Sequence, residues 1–253
     1  MTWGTSAIRT GWVTIPGAMC CPRWLLQDMS LGGVKQELAH QFNLPVTCQV
    51  IAGTTDSIAA FLASGAEHIG DAVTSLGSTL VLKLLSQQRV DASQYGIYSH
   101  RFGDLWLAGG ASNTGGAVLQ HFFDSSTLTR LSQQIDPETP VELDYYPLLA
   151  PGERFPINDP DLPPRLTPRP SDDIAFLQGL LWGMSRIEKQ GYDLLQQLGA
   201  SPLRQIYTAG GGAHNEAWRK MRQHLLQTPI KIAAHPEAAV GSAYLALRSL
   251  HSG

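Results

Sequence analysis

From Leu31 onward the apolar positions fall into short runs of two distinct periods. VKQELAHQFNL (34–44) and DSIAAFLASGA (56–66) carry apolar residues at the three- and four-residue spacing of an amphipathic helix, and TCQVIAG (47–53) between them reads as a buried strand. The runs AVTSLG, STLVLKLLS, YGIYSHRF and DLWLAGG are rich in Val, Leu, Tyr and Trp and are separated by Gly, Ser and Asp. They predict a sheet built from hairpins over 72–110. TGGAVLQHFFD and SSTLTRLSQQI read as helices, and SDDIAFLQGLLWGMSRIEKQGYDLLQQLG (171–199) as one long helix with Gly199 as its C-cap. RQIYTAGGG is a strand entering a Gly turn, EAWRKMRQHLLQ a helix, PIKIAA a strand and EAAVGSAYLALRSL a closing helix. The pattern predicts a mixed α/β fold. Residues 1–30 follow neither period, and the Pro-rich stretch 147–170 suits a long irregular loop inside a domain.

Composition narrows the function classes. A chain of 253 residues that is 43% hydrophobic buries one large core or two modest ones. Its 18 Lys plus Arg against 21 Asp plus Glu, with no block of like charge, argue against nucleic acid or an anionic membrane as partner. No apolar run is long enough for a membrane span, and MTWGTSAIRTGW lacks the pattern of a secretory leader. The cysteines, Cys20, Cys21 and Cys48, are odd in number and include a vicinal pair, so a reducing, cytoplasmic setting is expected.

Candidate chemistry sits in the small-residue turns. Asp56 follows Thr54 and Thr55 at the end of a strand and the start of a helix, where it is either an N-cap or a general base acting on a substrate hydroxyl. Gly77, Ser78 and Thr79 form a turn between two strands, either plain hairpin chemistry or a cradle for phosphate. LAGGASNTGGAV places Gly pairs around Asn113 where a helix opens, and Gly210, Gly211 and Gly212 join a strand to a helix. A dinucleotide fingerprint requires a Gly where Asn215 stands, which disfavours a nicotinamide enzyme. No His or Cys falls at metal-ligand spacing, so no protein-held metal is expected.

Taken in order, GTTDSIAAFLASG, TSLGST, GGASNTGG, FLQGLLWGMSRIE, TAGGGAHNEAWRKM and EAAVGSAYLAL resemble the FGGY carbohydrate kinases from about Leu31 to the C-terminus, within their ribulose- and xylulose-kinase-like branch. The resemblance implies an actin-like, ribonuclease H-like ATPase lobe, with 1–66 as the end of a first, sugar-binding lobe and 67–253 as the nucleotide-binding domain. It implies ATP with Mg²⁺ as cofactors and a ketopentose such as D-ribulose or D-xylulose as acceptor. Asp56 then matches the catalytic base, with Thr55 beside it at the substrate. Gly77, Ser78 and Thr79 match a phosphate motif, Gly210, Gly211, Gly212 and Asn215 an adenosine motif, and Asn113 and Gly116 a segment flanking the nucleotide. The family's Asp-x-Gly-Thr turn and most of its sugar-binding side chains are not in this sequence. A split or truncated kinase with weak ATP binding and no turnover alone is therefore expected, partnered by a separate first lobe or by itself. A self-sufficient domain is expected to begin near Glu67, leaving the apolar faces of 34–44 and 56–66 exposed.

Overall fold

A computed structural model describes residues 28–139, 142–235 and 237–251. The reading of residues 1–27 lies outside them. The first elements are β1 (Ser30–Gly33), α1 (Gln36–Gln41) and β2 (Gln49–Ile51), with β1 and β2 pairing antiparallel as a separate ribbon. α2 (Asp56–Ala63) then leads into β3 (Asp71–Leu76), β4 (Leu80–Ser86), β5 (Tyr98–Phe102) and β6 (Leu105–Ser112). These hairpin-linked strands are joined by β7 (Gln205–Ala209) and β8 (Ile230–Ile232) in a six-stranded sheet of order β5-β6-β4-β3-β7-β8. Each neighbouring pair in β5-β6-β4-β3 is antiparallel, whereas β7 and β8 extend the sheet parallel to β3. The remaining helices are α3 (Gly116–Phe122), α4 (Ser125–Ser132), α5 (Asp173–Gln197), α6 (Glu216–Leu226) and α7 (Ala238–His251). No helix among the described residues is long and apolar enough to cross a membrane.

Strand alternation sends side chains to two cores. Leu76, Leu82, Leu84 and Ala108 face α5 and α6, where Phe176, Leu180, Met184, Trp218 and Met221 complete the larger core. α5 is held at its start by Asp172, whose carboxylate accepts from the N–H groups of Ile174 and Ala175 at 3.2 Å each. It ends at Gln197 with Leu198 as its C-cap, one residue before the predicted Gly199, which follows at φ 96°. The loop through 147–170 is tied back by Glu153, which is buried and accepts from the Ser112 hydroxyl at 2.6 Å, the Asn113 N–H at 2.7 Å and the Tyr146 hydroxyl at 2.9 Å.

The other face of the sheet departs from expectation. Ile58, Phe61 and Ala66 pack on Val73, Leu85 and Leu107, so the apolar side of α2 is buried. α7 lies along α2 so closely that a Cβ on Gly241 would meet the Ala59 carbonyl at 1.8 Å. Backbone bonds from Ala234 N–H to Ser64 O (3.0 Å) and from His235 N–H to Ala63 O (3.1 Å) complete the attachment. The expected exposure holds for α1 and the loop after it, where Leu38, Phe42, Leu44 and Val46 remain exposed. A local amphipathic pattern shows that a helix has an apolar face and says nothing about which surface covers it.

Lys83 sits in β4 on this second face. It is only 5% exposed, its Nζ has no hydrogen-bond partner among the described residues, and it lies 4.7 Å from the centre of the Tyr98 ring. Burial without a counter-charge pushes its ammonium down to about 8.

Two outcomes follow from this packing. A chain that starts at Glu67 loses α2 and is expected to be insoluble or to melt well below the full chain, since losing Phe61 alone removes a contribution of roughly 3–5 kcal/mol. Equal melting of the two chains, compared by calorimetry and size-exclusion chromatography, would show that the second face closes without α2. The Lys83 ammonium is disfavoured in the folded state relative to the unfolded chain, so the penalty is fully present below about pH 8. It fades as pH rises from about 8 through 10.5. Lys83→Met is therefore expected to stabilise the protein by about 2–3 kcal/mol at pH 7 and by much less at pH 10. Chemical denaturation at both pH values reads the difference, and a pH-independent effect would sink the account.

Candidate functional site

The β3–β4 hairpin turns at Gly77, Ser78 and Thr79, closing the pair Leu76 and Leu80. Its outer side is docked on the start of α3. Gly116 N–H donates to Gly77 O at 2.8 Å, Ala117 N–H to Ser78 O at 3.1 Å, and Leu80 N–H to Thr114 O at 2.7 Å. Gly115, at φ 144°, makes this approach possible, because a Cβ there would lie 2.7 Å from Ser78 O and from Thr79 Cα. The Gly pairs of GGASNTGG thus let β6 and α3 close on the hairpin.

β7 delivers the second turn. A Cβ on Gly210 (φ 85°) would sit 2.7 Å from Leu76 O, and one on Gly212 would sit 2.7 Å from the Trp218 ring. Gly211 is different: a Cβ there meets nothing within 4 Å. The turn runs through a 3₁₀ segment, Gly211–His214, into Asn215, which caps α6 by accepting from Trp218 N–H at 3.0 Å. The Asn215 amide also donates to the Ser132 hydroxyl at 2.9 Å, tying α6 to the end of α4.

Hairpin, α3, α4 and α6 together enclose a cleft of about 840 Å³. Its walls are apolar at Leu76, Leu119, Leu128, Ile135 and Trp218 and polar at Ser78, Gln133, Glu216 and Lys220. A cavity of this size with few convergent polar groups suits a small organic ligand. Of the residues singled out in the sequence, Gly77, Ser78, Gly116, Gly211, Gly212 and Asn215 line it. Thr79 and Gly210 shape its turns without lining it. Asn113 faces elsewhere, its amide donating to Gly152 O at 2.9 Å and its oxygen accepting from Arg154 Nε at 2.6 Å. Thr55 and Asp56 are exposed at the start of α2, outside the cleft lining, and the Asp56 carboxylate accepts from Ser57 N–H at 2.7 Å. The walls on α3, α4 and α6 escaped the sequence reading because Leu119, Leu128 and Trp218 look like ordinary core positions of amphipathic helices.

The family model for the FGGY family of carbohydrate kinases, C-terminal domain, matches residues 72–250. The chain belongs to this family. It is 24% identical over 234 residues to the xylulose kinase of Staphylococcus epidermidis, covering 87% of this chain and 46% of that protein. It is likewise 24% identical over 233 residues to the L-fuculokinase of Escherichia coli K12, covering 88% of this chain and 48% of that protein. Among solved structures, a xyloylose kinase from Brucella ovis superposes with a TM-score of 0.78 at 22% identity, over 90% of this chain and 49% of that one. The chain spans about half the length of the curated relatives it matches. The fold is that of the actin-like ATPase lobe of FGGY sugar kinases.

The glycine geometry separates two roles within one turn of this FGGY lobe. Gly212→Ala forces a methyl into Trp218 and Leu76 and is expected to cost roughly 1–3 kcal/mol. Gly211→Asp, facing open space, is expected to fold with stability within about 0.5 kcal/mol of the original. Thermal denaturation of the two variants tests this, and a large loss for Gly211→Asp would show that its surroundings are closed.

Proposed function

We propose that this chain is the nucleotide-binding lobe of an ATP-dependent kinase acting on a sugar hydroxyl, with a ketopentose such as D-ribulose or D-xylulose as acceptor. The observation that carries the reading is the convergence of the 77–79 hairpin, the start of α3 and the 210–215 turn on one cleft. The cleft fits a nucleotide because Gly211 leaves open space at its wall and Gly77 adds no side chain there, so that a flat base and a phosphate chain can approach the backbone closely. The names of the relatives, a xylulose kinase and an L-fuculokinase, support a sugar as acceptor.

In this reading the nucleoside lies between α4, the Gly211 turn and α6, and the phosphates run toward Ser78 and Thr79. Asp56 acts as general base on the attacking hydroxyl, with Thr55 beside it. Its helix supports that role: Phe61 packs with Phe102, Leu85 and Leu107 at the end of the sheet away from the hairpin. In this reading the first turn of α2 is the part of the helix that faces the hairpin end. The base is asked for little, because the transition state of phosphoryl transfer is loose and most of the barrier reduction comes from alignment and charge stabilisation. Mg²⁺, where present, would be held by the nucleotide phosphates. Bound there it would neutralise charge on the transferring group.

The chain alone is expected to turn over at background. Mixed with the separately produced first half of a xylulose kinase relative, it is expected to phosphorylate D-ribulose or D-xylulose, as measured by coupled ADP release. Asp56→Asn keeps the size of the side chain and removes the base, and is expected to lower that activity by about 10²–10⁴-fold. Activity that survives the substitution rules out Asp56 as base. ADP release by neither mixture, with nucleotide bound, favours a non-catalytic nucleotide-binding protein.

A further inference from the structure

A second cavity, of about 460 Å³, lies on a different face of α5 from the one that meets α6. The helix meets α6 through Ser185, whose hydroxyl accepts from Trp218 Nε1 at 3.1 Å, and through the Glu188–Arg222 pair. Arg186, Lys189, Gln190, Asp193, Leu194 and Gln197 recur at the three- and four-residue spacing of another stripe, and that stripe floors the cavity. Tyr95 and the Pro156–Ile157 segment form its walls. None of these residues lines the first cleft.

The walls are fixed before any ligand arrives. Gly96, at φ 68°, brings the turn that carries Tyr95 against Arg154 O, where a Cβ would collide. Asn158 Nδ2 donates to Ser93 O at 2.8 Å and ties one wall to the other. A Cβ on Gly191 would lie 2.7 Å from the Phe155 ring, so α5 seats directly on the residue before Pro156. The polar groups of the floor are unevenly used. Arg186 donates from Nη2 to Leu143 O at 2.6 Å, and among the described residues its Nε and Nη1 have no partner. Lys189 Nζ is 2.6 Å from Asp193 Oδ2, which leaves Arg186 as the cation of this lining without a counter-charge among the described residues. The Gln190 and Gln197 amides and the Tyr95 hydroxyl likewise make no hydrogen bond among the described residues.

We propose that this cavity binds a small phosphorylated sugar, with the phosphate on Arg186 and the hydroxyl groups on Gln190, Gln197 and Asp193. The free N–H groups of a guanidinium form strong, charge-assisted hydrogen bonds to phosphate oxygens. Each amide carries a donor and an acceptor, as each sugar hydroxyl does, so the two kinds of group pair in either direction. Pro156, Ile157 and Leu194 offer apolar surface to the C–H side of the sugar. The volume falls in the range of small-ligand sites, and Arg186 and Lys189 against Asp193 leave the lining net positive. A free sugar leaves Arg186 unpaired and inorganic phosphate leaves the amides unused, so each binds less tightly than the ester that joins them. The inference rests on this lining alone and not on the activity proposed above.

Isothermal titration of the full chain with D-xylulose 5-phosphate, D-ribulose 5-phosphate, inorganic phosphate and D-xylulose tests the proposal. Either sugar phosphate is expected to bind about tenfold more tightly than inorganic phosphate, with no heat from the free sugar. Arg186→Gln is expected to weaken the sugar phosphates by about tenfold or more, and Gln197→Ala, in the exposed last turn of α5, by about threefold. Gln197→Ala keeps the test open where Arg186→Gln loses its fold along with the bond to Leu143 O. Saturating ADP is expected to leave the sugar phosphate affinities unchanged. The absence of heat from both sugar phosphates overturns the proposal, and so does an affinity untouched by both substitutions or matched by inorganic phosphate. Loss of binding in the presence of ADP puts the ligand in the first cleft, which overturns the proposal and leaves the kinase reading standing.

Discussion

A buried ion pair between Glu188 and Arg222 fixes the geometry on which the cleft depends. Both residues are about 1% exposed, and the pair is bidentate, with Arg222 Nε 2.6 Å from Glu188 Oε2 and Nη2 2.7 Å from Oε1. Charges removed from water are tolerable only when their remaining hydrogen-bonding capacity is also filled. Here the Thr74 hydroxyl donates to Glu188 Oε1 at 2.6 Å and Arg222 Nη1 donates to the Thr208 hydroxyl at 2.9 Å. Tyr192, whose hydroxyl is 2.8 Å from that of Thr74, is held neutral by burial and by the nearby Glu188 charge. Strands β3 and β7 and helices α5 and α6 are thereby pinned at one point. Breaking one side of such a pair costs ~3–5 kcal/mol because the other charge is left stranded. An apolar contact tolerates sliding, whereas this one sets the register of α6, and with it Trp218 and Asn215 at the cleft wall.

The glycines complete the same geometry by a different physical route. Gly115 and Gly210 have positive φ and allow backbone to meet backbone where any Cβ would collide. They close the two turns on each other. Gly77 and Gly211 meet no such obstacle, so their missing side chains leave volume in the cleft instead of enabling packing. One glycine-rich signature therefore mixes residues that build the wall with residues that keep the space in front of it empty.

Much of this was legible in the sequence, and what was not has a common cause. The strands of the hairpin sheet, the long α5 with Gly199 just beyond its end, and the ordered chain of small-residue turns all express local periodicity or turn chemistry, and the structure contains them. Long-range partners leave no such local trace. Asn113 reads as a residue at a helix opening, yet its amide is committed to Gly152 and Arg154, some forty positions away. Lys83 interrupts an apolar strand, and only the assembled sheet shows it buried beneath Tyr98. Glu188 left a local trace that the sequence reading did not take up: it continues the apolar stripe of Leu180, Leu181 and Met184 on α5, where a carboxylate demands a buried partner.

The placement of α2 shows how one end of the chain positions the other. Gly241, in the C-terminal EAAVGSAYLAL segment, lets α7 approach until its backbone touches Ala59. α2 is held by that crossing, by the two backbone bonds from 234–235, and by the seating of Phe61 on the sheet. A methyl at position 241 must displace one helix from the other, because the obstructing atom is a carbonyl oxygen in a helical ladder and has no rotamer to escape into. Any such displacement moves the first turn of α2, where Asp56 stands exposed. Asp56 stands on a helix that owes its position to residues nearly two hundred places later. The GTTDSIAAFLASG and EAAVGSAYLAL segments are thus one structural unit, packed helix on helix.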